Sequence, residues 1–413
     1  MKLGYKQMKC GLIGERLGHS FSKMIHAQLA DYSYDLCELP PQKVGDFVRN
    51  SELDAFNVTI PYKKDVMPYI DVISPEAISI GSVNTVVRKN GKIYGYNTDY
   101  FGFSHMIDLS EIDVKGKKAL IFGARGTAVT ANAVLLDRGV DLTVMLGSKD
   151  NTPQNREKYK DFDIIVNATP VGMYPKNGTS PLDLSEFPDC VCVYDVIYNP
   201  SMTALLLDAE RRGIKYVNGL PMLVAQAAKA FEYFTGEKYE DGCIEKITDM
   251  ISKDTLNIIL VGMPGSGKTT VGTLISQKLG REFIDTDIEF EKLNGFSPAE
   301  CINNMGEERF RELESEVISE VGKRSGLVIA TGGGVVTQER NYSPLHQNGR
   351  IFFIERKLEN LARDGRPLSM KVSAEEMYRN RVDSYRRFAD ATIYSNENAI
   401  ETAEKIILEF NEM

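Results

Sequence analysis

At 413 residues the chain exceeds a single domain of about 100 to 200 residues, so two or three domains, each with its own core, are expected. Its 42% hydrophobic and 26% charged residues are ordinary globular values, and no apolar run approaches the ~18 residues of a membrane span. A net charge of -9 without a long basic run argues against a nucleic-acid surface, and 6 cysteines without a C-x-x-C pair, beside 4 histidines, argue against a zinc site or disulfide framework.

The opening stretch MKLGYKQMKCGLIG has no long apolar segment and no obvious cleavage site, which points to the cytoplasm. "KCGLIG", "AFNVTI" and "VNTVVRKNGKIYGYNTD" read as short strands, the last with an Asn-Gly hairpin turn, and together predict an α/β domain. "KKALIFGARGTA" follows as a strand entering a glycine-rich turn, the opening of a dinucleotide-binding unit. In the fingerprint G-x-G-x-x-G/A the second glycine leaves bare backbone for a pyrophosphate. Gly123, Gly126 and Ala128 fit, with Ala124 and Thr127 between them, but Arg125 stands at the second glycine. Its Cβ should push a pyrophosphate slightly away, and its guanidinium could recover the contact as a salt bridge.

Helix over 130–137 and strands over 140–145, 163–167 and 190–196 predict a parallel sheet. "MLVAQAAKAFEYF", over 222–234, has helical apolar spacing, and a polar helical piece runs to about Lys253. The next strand starts at Leu256 with no linker of Pro, Gly or Ser between.

"LNIILVGMPGSGKTT" matches G-x-x-x-x-G-K-[ST] in full, between an apolar strand and a helix. Such a loop binds ATP: the Gly265, Ser266, Gly267 and Thr270 region holds phosphates, Lys268 reaches the β and γ oxygens, and the Thr269 hydroxyl ligates Mg²⁺. "FIDTDIEFE" puts Asp285 and Asp287 on one side of a strand end, where they can share a metal-and-substrate pocket. "GEERFRELESE" supplies Arg311 and Glu314 at i, i+3, and "VIATGGGVV" sets Gly332, Gly333 and Gly334 after another strand, where a ligand can approach backbone. "RDGRPLS" and "RVDSYRRFADATI" add Arg366 and Arg381.

On the set D-T-D, F-R-x-x-E, G-G-G, R-P-L and R-x-x-x-Y, residues 254–413 resemble the shikimate kinase family. The resemblance implies a P-loop α/β/α kinase domain with a parallel sheet, Asp285 near Mg²⁺, and Asp287 binding the shikimate hydroxyl and acting as base. It implies that Arg311, Arg381 and Gly332, Gly333 and Gly334 grip the substrate, and that Arg366 belongs to a lid over ATP. A carboxylate-bearing acceptor suits arginine forks, and its hydroxyl suits a carboxylate. Ser369 departs from the family's R-P-L-L.

Residues 1–253 resemble the shikimate dehydrogenase family through "GHSFSKMIH", "FNVTIPYKKDV", "GSVNTVVRKNGKIYGYNTDYFGF", "VNATPVGM", "YDVIYNP" and "NGLPMLVAQAAKAF". The implied fold is a two-subdomain α/β unit: a substrate subdomain of about 1–103 plus helices of about 220–253, and a Rossmann NAD(P) subdomain of about 104–219. The resemblance implies that Ser20, Ser22, Thr59, Asn84, Tyr198 and Gln226 hydrogen-bond the substrate, that Lys63 and Asp99 form the catalytic pair with Asp99 also binding substrate, and that Gly219 and Met222 line the cofactor. A ketone accepting hydride develops alkoxide charge, which an ammonium oriented by a carboxylate can protonate. The P-Y-K register favours Lys63 over Lys64. His26 stays outside the site, since a lone histidine on an apolar helix is ordinarily structural, and Lys23 stands where the family usually has Pro.

After its second Rossmann strand the family commonly carries Asn-Arg-Thr, whose Arg grips the 2'-phosphate of NADP, but this chain has Leu146-Gly147-Ser148. No acidic residue sits at the strand end to hold a ribose 2'-hydroxyl, although Asp150 follows shortly, and Lys149 or Arg125 could supply the cation. NADP is the expected cofactor, with NAD possible.

The two resemblances together imply a cytoplasmic bifunctional enzyme of the shikimate pathway and aromatic amino-acid biosynthesis. Its substrates would be 3-dehydroshikimate, reduced to shikimate, and shikimate, phosphorylated by ATP with Mg²⁺ on its 3-hydroxyl; no nucleic acid or membrane partner is expected. Two alternatives stay open: a kinase whose first half is a redox-inactive shikimate-binding module, and an NAD-dependent quinate/shikimate dehydrogenase fused to the kinase.

Overall fold

The computed structural model describes residues 4–18, 20–361, 373–395 and 398–412. Its contacts divide the chain into one unit of Met1–Met173, Thr179–Tyr198 and Leu205–Ile251 and a second of Tyr174–Gly178, Asn199–Ala204 and Ser252–Met413.

In the first unit β1 (Lys9–Gly14), β2 (Ser33–Glu38) and β3 (Ala55–Val58) are parallel, with α1 (Ser22–Leu29) and α2 (Val44–Asn50) as crossovers. After β4 (Val72–Ile73) and α3 (Pro75–Ile80), the hairpin of β5 (Thr85–Lys89) and β6 (Lys92–Tyr96) completes a six-stranded sheet in the order β2-β1-β3-β5-β6-β4. The hairpin turns at Asn90 and Gly91, whose φ of 53° and 72° are the two positive values that a type I′ turn requires.

α4 (Asp99–Ser110) leads into a second sheet of β7 (Lys118–Phe122), β8 (Leu142–Leu146), β9 (Ile164–Asn167), β10 (Cys192–Asp195) and β11 (Lys215–Val217), with α5 (Thr127–Asp137), α6 (Pro153–Arg156) and α7 (Ala204–Arg211) in its connections. All its pairings are parallel, in the order β11-β10-β9-β7-β8. Several boundaries differ from the sequence expectation: β9 and β10 are shorter than 163–167 and 190–196, and two shifts have a local cause. α5 starts at Thr127 rather than residue 130 because Gly126, at φ 54°, turns the loop straight into the helix. β8 starts at Leu142 rather than residue 140 because the Val140 amide still closes a turn onto the Leu135 carbonyl.

α8 (Leu220–Thr235) returns from the second sheet, followed by α9 (Cys243–Thr255). α8 buries Ala225, Ala227, Ala228 and Ala230, small residues that let neighbours come close. One close approach is at Gly102 of α4, where a Cβ would lie 2.6 Å from the Met222 carbonyl oxygen. Backbone cannot yield there, so Gly102→Ala should destabilise the first unit by about 1–3 kcal/mol through overpacking. A lower urea midpoint at unchanged slope checks this; a wild-type midpoint would mean that α4 and α8 can separate at no cost.

The second unit comprises β12 (Asn257–Val261), α10 (Lys268–Leu279), β13 (Phe283–Asp285), α11 (Thr286–Asn294), α12 (Pro298–Met305), α13 (Glu307–Gly322), β14 (Val328–Ala330), α14 (Tyr342–His346), β15 (Gly349–Glu355), α15 (Ala374–Phe388), β16 (Ala391–Tyr394) and α16 (Ala399–Glu412). Its sheet is wholly parallel, ordered β13-β14-β12-β15-β16. Successive strand residues face opposite ways, so Ile259, Ile329, Ile351 and Phe353 enter one core and Ile258, Leu260, Phe352 and Ile354 the other. Helices cover both faces, giving three layers. Among the described residues no helix is long and apolar enough to cross a membrane.

Candidate active sites

The first sheet gathers its polar loops at one edge. Antiparallel pairing sets Asn57 opposite Thr85, and Thr85 opposite Tyr96, so the end of β3, the start of β5 and the end of β6 coincide. Thr59 and Lys63 follow β3, Asn84 precedes β5, and Asp99 follows β6. Lys63 Nζ donates to Asp99 Oδ2 at 2.6 Å, with the side chains 15% and 2% exposed, whereas Lys64 is exposed. Asn84 Oδ1 accepts from the Thr98 amide at 2.7 Å, pinning the turn that presents Asp99 at the first position of α4.

Behind this pair lies a buried polar layer. Tyr34 Oη donates to Asn57 Oδ1 at 2.8 Å, and Asn57 Nδ2 donates to Thr85 Oγ1 at 3.1 Å. His26 stacks on Tyr34 at 3.9 Å, and burial pushes its imidazole down to about 3, so it is neutral. Ser20 Oγ donates to Ser22 Oγ at 3.1 Å, and Phe21 between them meets the Tyr198 ring at 5.0 Å, which groups these three expected residues. The Thr59 methyl packs against Gly14, and Gln226 lies against Gly102, three residues beyond Asp99.

In the second sheet the glycine loop follows β7. A Cβ on Gly123, at φ 125°, would lie 3.1 Å from the Ala128 Cβ and from the Ala168 carbonyl oxygen, so this turn needs glycine. No described residue accepts from the amides of Ala124, Arg125, Gly126 and Thr127. Orphan donors at the start of a helix suit a diphosphate. The Arg125 side chain is exposed and pairs with no described residue. Asp150 does reach the end of β8: its amide bonds the Gly147 carbonyl, and its Oδ2 lies 3.3 Å from where a Gly147 Cβ would be. A carboxylate therefore stands beside the glycine loop. Gly219 caps α8 against the Val196 carbonyl, 2.1 Å from a would-be Cβ, and Met222 is buried among Phe103 and Met106.

The second unit converges its loops on the end of β12. Gly262, Gly265 and Gly267 take φ of 151°, 82° and 93°, and a Cβ on Gly262 would meet the Ile354 carbonyl at 2.7 Å. Lys268, 8% exposed, folds its Nζ onto the Gly262 and Met263 carbonyls at 2.8 and 3.0 Å. The Ser266 hydroxyl is buried without a partner among the described residues. Thr269 Oγ1 donates to Asp285 Oδ2 at 2.9 Å, while Asp285 Oδ1 accepts from the Asp287 amide. These two oxygen ligands fit Mg²⁺, which is commonly held by one or two protein groups together with phosphates and water. Among the described residues no three His, Cys, Asp or Glu side chains form a protein-only metal cage.

Beside the phosphate loop stand Gly332, Gly333 and Gly334, the expected substrate loop. Gly333 packs on Pro264 of the phosphate loop, 2.8 Å from a would-be Cβ. Its carbonyl accepts from Arg381 Nη1 at 3.1 Å and from the Tyr385 hydroxyl. Asp287 Oδ1 and Glu314 Oε1 both approach Gly332, at 3.1 and 2.7 Å from a would-be Cβ. Burial pushes the Glu314 carboxyl up, opposed by the Arg311 guanidinium. Arg311, 6% exposed, lies flat against Gly334, which brings both expected arginines to this loop. Arg366 lies outside the described residues.

Sequence reasoning missed Arg356, whose Nη1 lies 3.9 Å from a would-be Gly267 Cβ, beside the phosphate loop. Its setting, I-E-R-K at a strand end, reads as an ordinary solvated charge. Tyr385 was legible only as part of R-x-x-x-Y, without a role.

Three family models match: "Shikimate dehydrogenase substrate binding domain" over residues 12–86, "Shikimate 5'-dehydrogenase C-terminal domain" over 219–239, and "Shikimate kinase" over 264–411. A shikimate dehydrogenase (NADP(+)) of Caldanaerobacter subterraneus subsp. tengcongensis is 36% identical over 276 residues, spanning 60% of this chain and 99% of that relative. The crystal structure of shikimate dehydrogenase 1 from Peptoclostridium difficile is 34% identical with a TM-score of 0.54, covering 59% of this chain and 97% of that one. A chorismate mutase/shikimate 5-dehydrogenase fusion protein from Clostridium acetobutylicum is 33% identical with a TM-score of 0.55, covering 60% and 97%.

Proposed function

The chain belongs to the shikimate dehydrogenase family through its first half and carries a shikimate kinase domain in its second, and on that premise we propose a bifunctional enzyme that reduces 3-dehydroshikimate to shikimate and then phosphorylates the 3-hydroxyl with ATP. The observation that carries the redox half is the Lys63 to Asp99 pair at 2.6 Å, nearly closed off from water. NADPH, when bound, supplies the hydride. Lys63 places a proton at the substrate carbonyl oxygen, where negative charge grows, and Asp99 holds the ammonium and one substrate hydroxyl. Thr59, Asn84, Tyr198, Gln226 and the two serines Ser20 and Ser22 position the ring. The orphan amides of the Gly123 to Ala128 loop receive the cofactor diphosphate, with Gly219 and Met222 nearby.

In the kinase half Thr269 and Asp285 would hold Mg²⁺, and the Gly265 to Thr270 segment with Lys268 the ATP phosphates. Asp287 accepts the proton of the attacking hydroxyl, and Arg311 and Arg381 receive the substrate carboxylate. Arg366 is assigned to the lid over ATP. Arg356 adds a cation beside the phosphate loop.

The Caldanaerobacter subterraneus relative is a shikimate dehydrogenase named for NADP(+), and NADP is the cofactor proposed for this chain, with exposed Arg125 as the cation for its 2'-phosphate. The position of Asp150 favours a second reading, since a carboxylate at the end of the second Rossmann strand can take the 2'-hydroxyl of NAD. Assays of shikimate oxidation with NADP⁺ and NAD⁺, repeated with quinate, separate the two. NADP⁺ turnover with shikimate is expected, and Arg125→Ser should raise the KM for NADP⁺ by about ten-fold, the loss of one charge-assisted contact, while leaving that for NAD⁺ unchanged. Turnover with neither cofactor, beside normal kinase activity, would leave the first half a binding module.

A further inference from the structure

Arg311 already has a carboxylate on each arm of its fork. Nη1 donates to Glu314 Oε2 at 2.7 Å, and Nη2 donates to Glu307 Oε1 at 3.1 Å. The two partners are unequal. The Glu314 side chain is 5% exposed, so that pair is buried whole, whereas the Glu307 side chain, on the first residue of α13, is 52% exposed. One guanidinium is neutralised by the buried carboxylate alone, so the second carboxylate makes a weaker, solvent-screened bond. Gly334 backs the fork, with Nη2 2.3 Å from a would-be Cβ, so the guanidinium occupies space that any side chain there would take.

We propose that Glu307 is a placeholder: in the empty kinase site its carboxylate stands at Arg311 Nη2, where the acceptor substrate's own carboxylate docks, and it gives up that place on binding. The inference rests on the kinase reading above. Exchange of one carboxylate for another keeps the number of charge-assisted hydrogen bonds at Arg311 constant and returns Glu307 to water. Arg311 is thus never left bare in its buried setting. An acceptor with the right hydroxyl but no carboxylate cannot displace Glu307, so the exchange also selects for an acidic substrate. Glu307 acts through Arg311 and is a positioning residue, not a catalytic one.

Steady-state kinase kinetics on the full chain, at saturating ATP with shikimate varied, test this with Glu307→Gln, which keeps the size and removes the charge. The KM for shikimate should fall about two- to five-fold, the range of a half-exposed ion pair, with kcat changed by less than about two-fold. Glu307→Ala should behave alike, and dehydrogenase turnover of the same preparations reports folding. An unchanged or raised KM, or a kcat lowered about ten-fold or more, overturns the placeholder while wild-type turnover keeps the kinase reading. Absence of shikimate phosphorylation in the wild type overturns both.

Discussion

Lys63→Ala should lower the kcat of shikimate oxidation by about a hundred- to ten-thousand-fold, the range of a positioned general acid or base, while shikimate phosphorylation by the same preparation runs at the wild-type rate. Among the described residues one amine, that of Lys63, is aimed at Asp99, and Lys64 is exposed on the same turn. Removing it leaves the buried Asp99 carboxylate without its cation and the growing alkoxide without a proton. Lys63→Arg should stay slow, because a guanidinium keeps the ion pair but does not release a proton near neutral pH. Parallel measurement of both activities is the check: equal loss of the two would point to misfolding, and an active Lys63→Ala would remove the lysine from the chemistry.

Lys268→Ala should do the reverse. Phosphorylation should fall about a hundred- to a thousand-fold, as when one preorganised donor to a transition-state oxyanion is removed, with NADP⁺-dependent oxidation untouched. The lysine is held over the loop by the Gly262 and Met263 carbonyls, close to its place of action, and nothing else on the loop carries a positive charge. Retained phosphorylation would overturn its role. Because Lys268 bonds its own loop, a thermal melt with and without ATP separates lost chemistry from a loosened loop.

What could be read in the sequence depended on how local the physical cause was. Glycine loops announce themselves because positive φ at Gly262, Gly265 and Gly267, or close contact at Gly123, is demanded within a few residues. The Asn90-Gly91 turn was legible for the same reason. Lys63 rather than Lys64 followed from register, and the structure turns that side chain inward. Asp150 was not legible as a cofactor-loop residue: its return to the end of β8 comes from the reversal at Gly147, which its own hydrogen bonds make. Arg356 and Glu307 were invisible because each gains meaning only from a partner far along the chain or from unequal burial of two similar carboxylates. Gly102 likewise looks like an ordinary helix residue until α8 is laid against it.

Gly333 lies so near the Pro264 ring that only a residue without a side chain fits between its own loop and the phosphate loop. On the proposed kinase reading, the spacing of the two reactants would be set by this glycine-on-proline contact, present before either arrives. A two-body encounter in solution would then become an intramolecular meeting at high effective molarity, and the translational entropy of that meeting would be lost in the two binding steps instead of at the barrier.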